Sequence, residues 1–192
     1  MEMFQVFEPV IRKYATGHEI EIRFGKANRK MFDTDVTKET YEKVLRRLHR
    51  YTEWEEVTET DSTVYYFENG GRVTYDNVLD EVTESVIKKP VEKVNYVLEG
   101  HPFDVRLGIS TEKPFERRDD EQAISSKSKK RTSFLRKNLR IDVTAVTGDP
   151  DDPDSEAETQ YQIELEFVSV PEKQHELYNM VHKVMDVMKI TL

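Results

Sequence analysis

Four glutamates carry the first chemical signal in the chain. Residues 18–25 read HEIEIRFG and residues 161–167 read YQIELEF. Glu19 and Glu21 alternate with Ile20, Ile22 and Phe24, and Glu164 and Glu166 alternate with Ile163, Leu165 and Phe167. A period of two marks a β-strand with one apolar and one wet face. If the four carboxylates converged they would repel one another, unless a divalent cation or a cationic ligand sat between them. Oxygen donors alone suit a hard metal ion. A solvated strand face accounts for either pair taken singly, and on spacing alone it is the commoner explanation.

The second signal is cationic. The chain carries 29 basic and 38 acidic residues, a formal net charge of −9, which argues against a general nucleic-acid coat protein. The charge is uneven: residues 127–140, KSKKRTSFLRKNLR, hold bases and no acid, whereas residues 149–158, DPDDPDSEAE, hold acids and no base. The 192 residues suffice for one domain with a core, or for a barrel that encloses something. Cysteine is absent, which excludes disulfides and thiolate metal sites and fits a reducing compartment. No apolar run approaches the roughly 20 residues of a membrane helix, and residues 1–14 lack a signal peptide's basic start and cleavage site. These features predict a soluble, intracellular protein.

The elements that must position these groups follow from periodicity. Residues 2–15 read as a short amphipathic helix, ended at Thr16-Gly17. Residues 37–51 read as a helix with Thr37 as N-cap and a stripe of Tyr41, Val44, Leu45 and Leu48. From 54 to 170 the pattern is almost wholly β. It contains a hairpin at 63–75 turned by Asn69-Gly70-Gly71, and strands near 82–98, 102–112, 124–136 and 139–146. Residues 172–188 predict a closing helix with Leu177, Met180, Val181, Val184, Met185 and Met188 inward. Strand after strand has one apolar face and one charged face: Ile141 and Val143 against Arg140, Asp142 and Thr144, and Phe134 against Lys127, Lys129, Arg131 and Ser133. A closed or nearly closed antiparallel barrel reconciles this if it is turned inside out. Cationic and anionic rows then line the bore, and the apolar faces look outward to be covered by helices.

In this order the motifs resemble the metal-dependent RNA 5′-triphosphatases of fungal and DNA-virus mRNA capping, in the triphosphate tunnel metalloenzyme family. HEIEIRFG and QIELEF bracket a K-x-R-x-S strand (Lys129, Arg131, Ser133) and a D-x-T strand (Asp142, Thr144), and the resemblance spans roughly residues 18–170. It implies a mainly β member of the α+β class, a closed antiparallel eight-stranded barrel with a charged lumen and a few flanking helices, as one tunnel domain over 1–192. It also implies that Glu19, Glu21 and Glu166 bind Mg2+ or Mn2+, and that Glu164 orients the attacking water with Asp142 in support. Arg72, Lys129 and Arg131 would contact phosphates, and Glu112 would help to hold the basic side chains. The strand lysine is Lys88 or Lys89, with register favouring Lys88. Gln162 stands where some members carry a third glutamate, Arg23 is a further lumenal cation, and Phe24 packs behind the site.

The implied activity is hydrolysis of the γ-phosphate of triphosphate-ended RNA to leave diphosphate ends for capping, with metal-dependent NTP hydrolysis beside it. The implied partners are 5′-triphosphate RNA, NTPs and an RNA guanylyltransferase, with no membrane. The protein would be a monomer or homodimer in the nucleus, the cytoplasm, or a viral factory or virion. Two other classes stay open: a tripolyphosphatase or other organic-triphosphate hydrolase on the same tunnel, and a non-catalytic phosphate-binding module. Blander readings fit the rest. His18, His49, His101, His175 and His182 serve surface or local packing, the methionines of the last helix are core, and residues 149–158 form a surface loop. Lys127, Lys130, Lys137 and Arg140 either guide RNA to the tunnel mouth or are screened surface cations.

Overall fold

Strict alternation of apolar and charged residues forces each strand to choose one face for the core, and here the core lies outside the sheet. The computed structural model describes residues 2–29, 31–148 and 158–192. In chain order these residues form α1 (Glu2–Tyr14), β1 (Glu19–Ala27), β2 (Phe32–Asp33), α2 (Lys38–Arg50), β3 (Glu56–Tyr66), β4 (Gly71–Asp76), β5 (Glu81–Tyr96), β6 (Asp104–Pro114), β7 (Ser125–Arg136), β8 (Leu139–Thr147), β9 (Gln160–Phe167) and α3 (Gln174–Thr191). The acidic stretch 149–157 lies outside the described residues.

Eight strands close on themselves in the order β1–β6–β5–β4–β3–β7–β8–β9 and back to β1, every pairing antiparallel, and the two-residue β2 is appended to β1. Closure abolishes the unpaired strand edges that an open sheet would expose. The closing seam is short: Glu21 pairs with Glu166, Ile22 with Leu165 and Arg23 with Glu164. The two glutamate strands are thus neighbours across the seam, although some 140 residues separate them in the chain.

The outward faces of β1, β6, β8 and β9 carry Ile20, Ile22, Phe24, Val105, Leu107, Ile109, Ile141, Val143, Ile163 and Leu165, all essentially inaccessible to solvent. They pack beneath Phe7 and Ile11 of α1, Val44 and Leu48 of α2, and Met180, Val184 and Met188 of α3. Each such side chain contributes about 1.5–3 kcal/mol on burial, so the helical cladding holds this half of the wall. The expected helix stripes are the buried ones, and Thr37 caps α2 by accepting from the Thr40 N–H at 3.4 Å. The last helix starts at Gln174 rather than 172. There the Glu176 carboxylate accepts the Glu172 and Lys173 N–H groups, each at 2.9 Å, and defines its first turn.

Two local devices set the register. At the β3–β4 hairpin Gly70 takes φ +84°, a left-handed conformation that a side chain would strain, and its N–H donates to the Phe67 carbonyl. In β5 the ladder slips between Pro90 and Glu92, where a proline without an N–H can be tolerated. The slip leaves Lys88 opposite Glu112 and inside the barrel, whereas Lys89 is exposed.

Candidate active site in the barrel lumen

The charged faces enclose a cavity of about 870 Å3. Nine of the expected site residues line it: Glu19, Glu21, Arg72, Lys88, Glu112, Lys129, Arg131, Glu164 and Glu166, with Arg23 and Gln162 beside them. The tenth, Asp142, is 2% exposed and lies behind them. Every strand of the closed barrel except β6 contributes at least two residues to this lining.

On the β1–β9 seam each carboxylate is answered by a cation. Lys88 Nζ donates to Glu19 Oε1 at 2.5 Å and stands 3.6 Å from Glu21 Oε2. Arg23 Nε lies 2.9 Å from both Glu21 Oε1 and Glu164 Oε1. Arg140 reaches Glu166 with one nitrogen and Asp142 Oδ2, at 3.1 Å, with another. The Arg131 guanidinium spans three groups: Asp142 Oδ2 at 3.2 Å, Glu164 Oε2 at 3.4 Å and the fully buried Thr144 hydroxyl at 3.1 Å. That gives the D-x-T strand a physical task. Asp142 and Thr144 grip the planar fork from below and fix where it points.

The balance of charge differs from group to group. Burial pushes Glu21 up, with Glu164 adding to the shift against Arg23 and Lys88. Burial likewise pushes Glu166 up to about 7, helped by Glu19 and Asp142 and opposed by Arg140. Glu164 goes the other way: burial would raise it, but Arg23, Arg131, Lys129 and Lys88 hold it below the usual carboxylate range. Lys129 is the mirror image. Burial first, then Arg131, Arg72 and Arg23, push it down to about 8, and only Glu164 opposes them. Neither Lys129 nor Arg72 forms an ion pair among the described residues, although Arg72 lies 5.6 Å over the Tyr66 ring. Two cations in a half-buried bore without carboxylate partners call for anions from outside.

Among the described residues no group of three or more acidic or histidine side chains converges in a metal-holding arrangement. The reason is visible in the pairs above, since each seam carboxylate turns toward a protein cation. The donor set nevertheless fits a hard divalent ion. Glu21 and Glu166 face each other directly across the ladder, an arrangement that repels unless a cation intervenes. Burial pushes both above the ordinary carboxylate range despite their counter-cations, so a further cation would favour their ionised forms. Asp142 Oδ1 is buried without a hydrogen-bond partner among the described residues. Opposite Glu21 in the next strand sits Gly108, whose lack of a side chain leaves space, as a Cβ there would stand 3.4 Å from Glu21 Oε1.

Residues 60–188 match the family of the mRNA capping enzyme, beta chain. The chain belongs to this family of mRNA-capping RNA triphosphatases. That match begins within β3, so β1, with Glu19 and Glu21, lies outside it. Structural likeness covers the rest. The fold is similar to that of the S. pombe Pct1 RNA triphosphatase in complex with the Spt5 CTD, with a TM-score of 0.86 at 16% identity over 98% of this chain and 92% of that one. It is also similar to the RNA triphosphatase domain of a trifunctional mimivirus mRNA capping enzyme, with a TM-score of 0.68 at 15% identity over 98% and 96%. At these identities the likeness shows the triphosphate tunnel fold. No curated protein sequence matches the chain.

Arg140, on the charged face that the alternation assigns to the bore, is a lumenal partner of Glu166 and Asp142 rather than a mouth or surface cation like Lys130 and Lys137. Its alternation with Ile141 was the available signal. Lys127 also lines the cavity, whereas Lys130 and Lys137 are exposed. Glu112 lines the lumen without an ion pair among the described residues, since Lys88 turns to Glu19 instead. Gln162 donates to the Thr34 hydroxyl at 3.3 Å, a neutral contact where an acid would need a cation. The five histidines stay outside the lumen lining; His49 packs edge-on against Phe134 and His18 against Tyr14.

Proposed function

We propose that the lumen hydrolyses the γ-phosphate of 5′-triphosphate-ended RNA, releasing phosphate and a diphosphate-ended RNA, with NTPs as secondary substrates. The observation that carries this reading is the pairing, in one closed bore, of buried carboxylates crowded on the seam with Lys129 and Arg72, which have no carboxylate partner among the described residues. A triphosphate supplies the missing anion to the second group. Glu19, Glu21 and Glu166 would hold a divalent cation, Mg2+ or Mn2+, since all three offer hard oxygen donors. When bound, such an ion offsets phosphate charge as a Lewis acid.

The chain's own residues do the remaining work. Lys129, Arg131 and Arg72 bind non-bridging phosphate oxygens and meet the charge that develops on them in the transition state. Glu164, kept ionised by Arg23 and Arg131, accepts a hydrogen bond from the attacking water and sets it in line with the departing diphosphate. Its lowered basicity makes it an orienting group first and a proton acceptor second. Asp142 and Thr144 position Arg131 rather than touch substrate. The diphosphate end is the substrate that a guanylyltransferase would consume, which makes that enzyme the functional partner.

Release of labelled phosphate from γ-labelled triphosphate RNA, with and without manganese, tests the reading. Parallel turnover of ATP and tripolyphosphate separates an RNA enzyme from a general tunnel hydrolase. Phosphate release no greater than background from all three would leave only a phosphate-binding module.

A further inference from the structure

A second concavity, of about 840 Å3, lies on the far side of the cladding, between α2 and α3, and takes no part in the lumen. Its lining is Lys43, Arg46, Arg47 and Arg50 of α2 with Lys189, Asp186 and Ile190 of α3. The four α2 cations follow the spacing i, i+3, i+4, i+7, so they form one helix stripe about 10 Å long at the usual rise of about 1.5 Å per residue. All four are exposed, and none has an ion pair among the described residues; the acids of α2, Glu39 and Glu42, sit in its first half. Lys189 meets Asp186 only at 3.9 Å.

The ordinary explanation is that cations complement helix C-termini, and both α2 and α3 end here. Each terminus carries about half a negative charge, so two ends offset roughly one cation. Asp186, which also pairs with Lys183 at 3.4 Å, offsets at most one more, which leaves about three positive charges concentrated on a chain whose net charge is −9. We propose that this groove binds the phosphodiester backbone of the RNA substrate downstream of its triphosphate end. Three of the five cations are arginines, whose planar forks suit phosphate oxygens. Ile190 is the one apolar side chain in the lining, whereas protein-docking surfaces centre on apolar or aromatic anchors. Backbone binding needs cations and no such anchor. The proposal rests on RNA being the substrate of the lumen.

The test uses the full chain carrying Arg46→Ala, Arg47→Ala and Arg50→Ala together, all at exposed positions remote from the lumen lining. Binding and turnover are measured on triphosphate RNAs of ~20 and ~3 nucleotides, with the expectation that KM on the longer RNA rises about tenfold and that the salt slope of its binding falls by about 2, from three lost contacts at about 0.7 each. Turnover number on RNA, and both constants on ATP and on the short RNA, stay as in the unaltered protein. An unchanged KM and salt slope on the long RNA would overturn the proposal. So would an equal loss on ATP. A 5′-hydroxyl RNA of ~20 nucleotides, which has no triphosphate to hydrolyse, should show the same weakening and salt slope in direct binding. That arm judges the groove even if the unaltered protein releases no phosphate, in which case the reading of the lumen fails on its own.

Discussion

The two sides of the lumen are charged in opposite ways and satisfied to different degrees. On the β1–β9 seam Glu19, Glu21, Glu164 and Glu166 each hold a cation of the protein itself, from Lys88, Arg23, Arg131 or Arg140. Across the bore Lys129 and Arg72 hold none. Yet the pairing does not compensate fully, because burial still pushes Glu21 and Glu166 above the ordinary range. The difference separates two kinds of incompleteness. The seam has its hydrogen bonds but sets buried carboxylates directly opposite one another, a repulsion that a divalent ion offsets. Lys129 and Arg72 on the facing side lack carboxylate partners, which a row of phosphates supplies.

The comparison is broken most severely by removing a seam carboxylate. Glu19→Ala or Glu166→Ala should lower metal-dependent phosphate release from triphosphate RNA by at least about 10²-fold, in line with losing one preorganised electrostatic group, while the melting temperature stays within a few degrees. Activity near that of the unaltered protein in either variant would remove it from the metal-binding set. Where a seam carboxylate meets its cation, Arg131→Lys should cost nearly as much as Arg131→Ala, about 10²-fold, because an ammonium cannot span Asp142, Glu164 and Thr144 at once. Steady-state kinetics on RNA checks this, and full rescue by lysine would show that only charge matters there.

The next effect is sharper than it is large. Lys129 must be protonated to bind phosphate, so kcat/KM should fall as pH rises through about 8, and Lys129→Arg should move that limb upward. Stability moves the opposite way. The unfolded chain keeps this proton up to about 10.5 whereas the folded chain gives it up near 8, so the unfolded state binds more protons between those values and folding gains stability as pH rises across the window. A pH–rate profile and a series of melts at pH 7 to 10.5 read the two trends, and a common direction would refute the assignment.

The smallest expected effect is thermodynamic. Manganese at about 100 times its dissociation constant should stabilise the folded protein by about 2.7 kcal/mol, and Glu19→Ala should abolish the shift without changing the metal-free melt by more than a few degrees. An equal shift in the variant would place the ion elsewhere.

Much of this was legible in the chain because a strand's period is short and local. Alternation located the two glutamate strands, the K-x-R and D-x-T strands and the outward apolar faces, and the helix stripes came from the same logic at a period of 3.6. The inside-out arrangement was legible too, since opposite charges segregated onto different strands have no reason to do so on a flat wet sheet. Partnership was not legible. That Arg140 answers Glu166 depends on β8 lying beside β9, which places the two directly opposite in the ladder. Register in the sequence favours Lys88 over Lys89, but that Lys88 turns to Glu19 rather than to Glu112 opposite it was decided by the fold. The convergence of α2 and α3 into a cationic groove depends on how both helices settle on the barrel. Sequence pattern determines which face of each element is charged, because that is set within a few residues. Which charge meets which was decided only by closure and register, because these are set by neighbours scores of residues away.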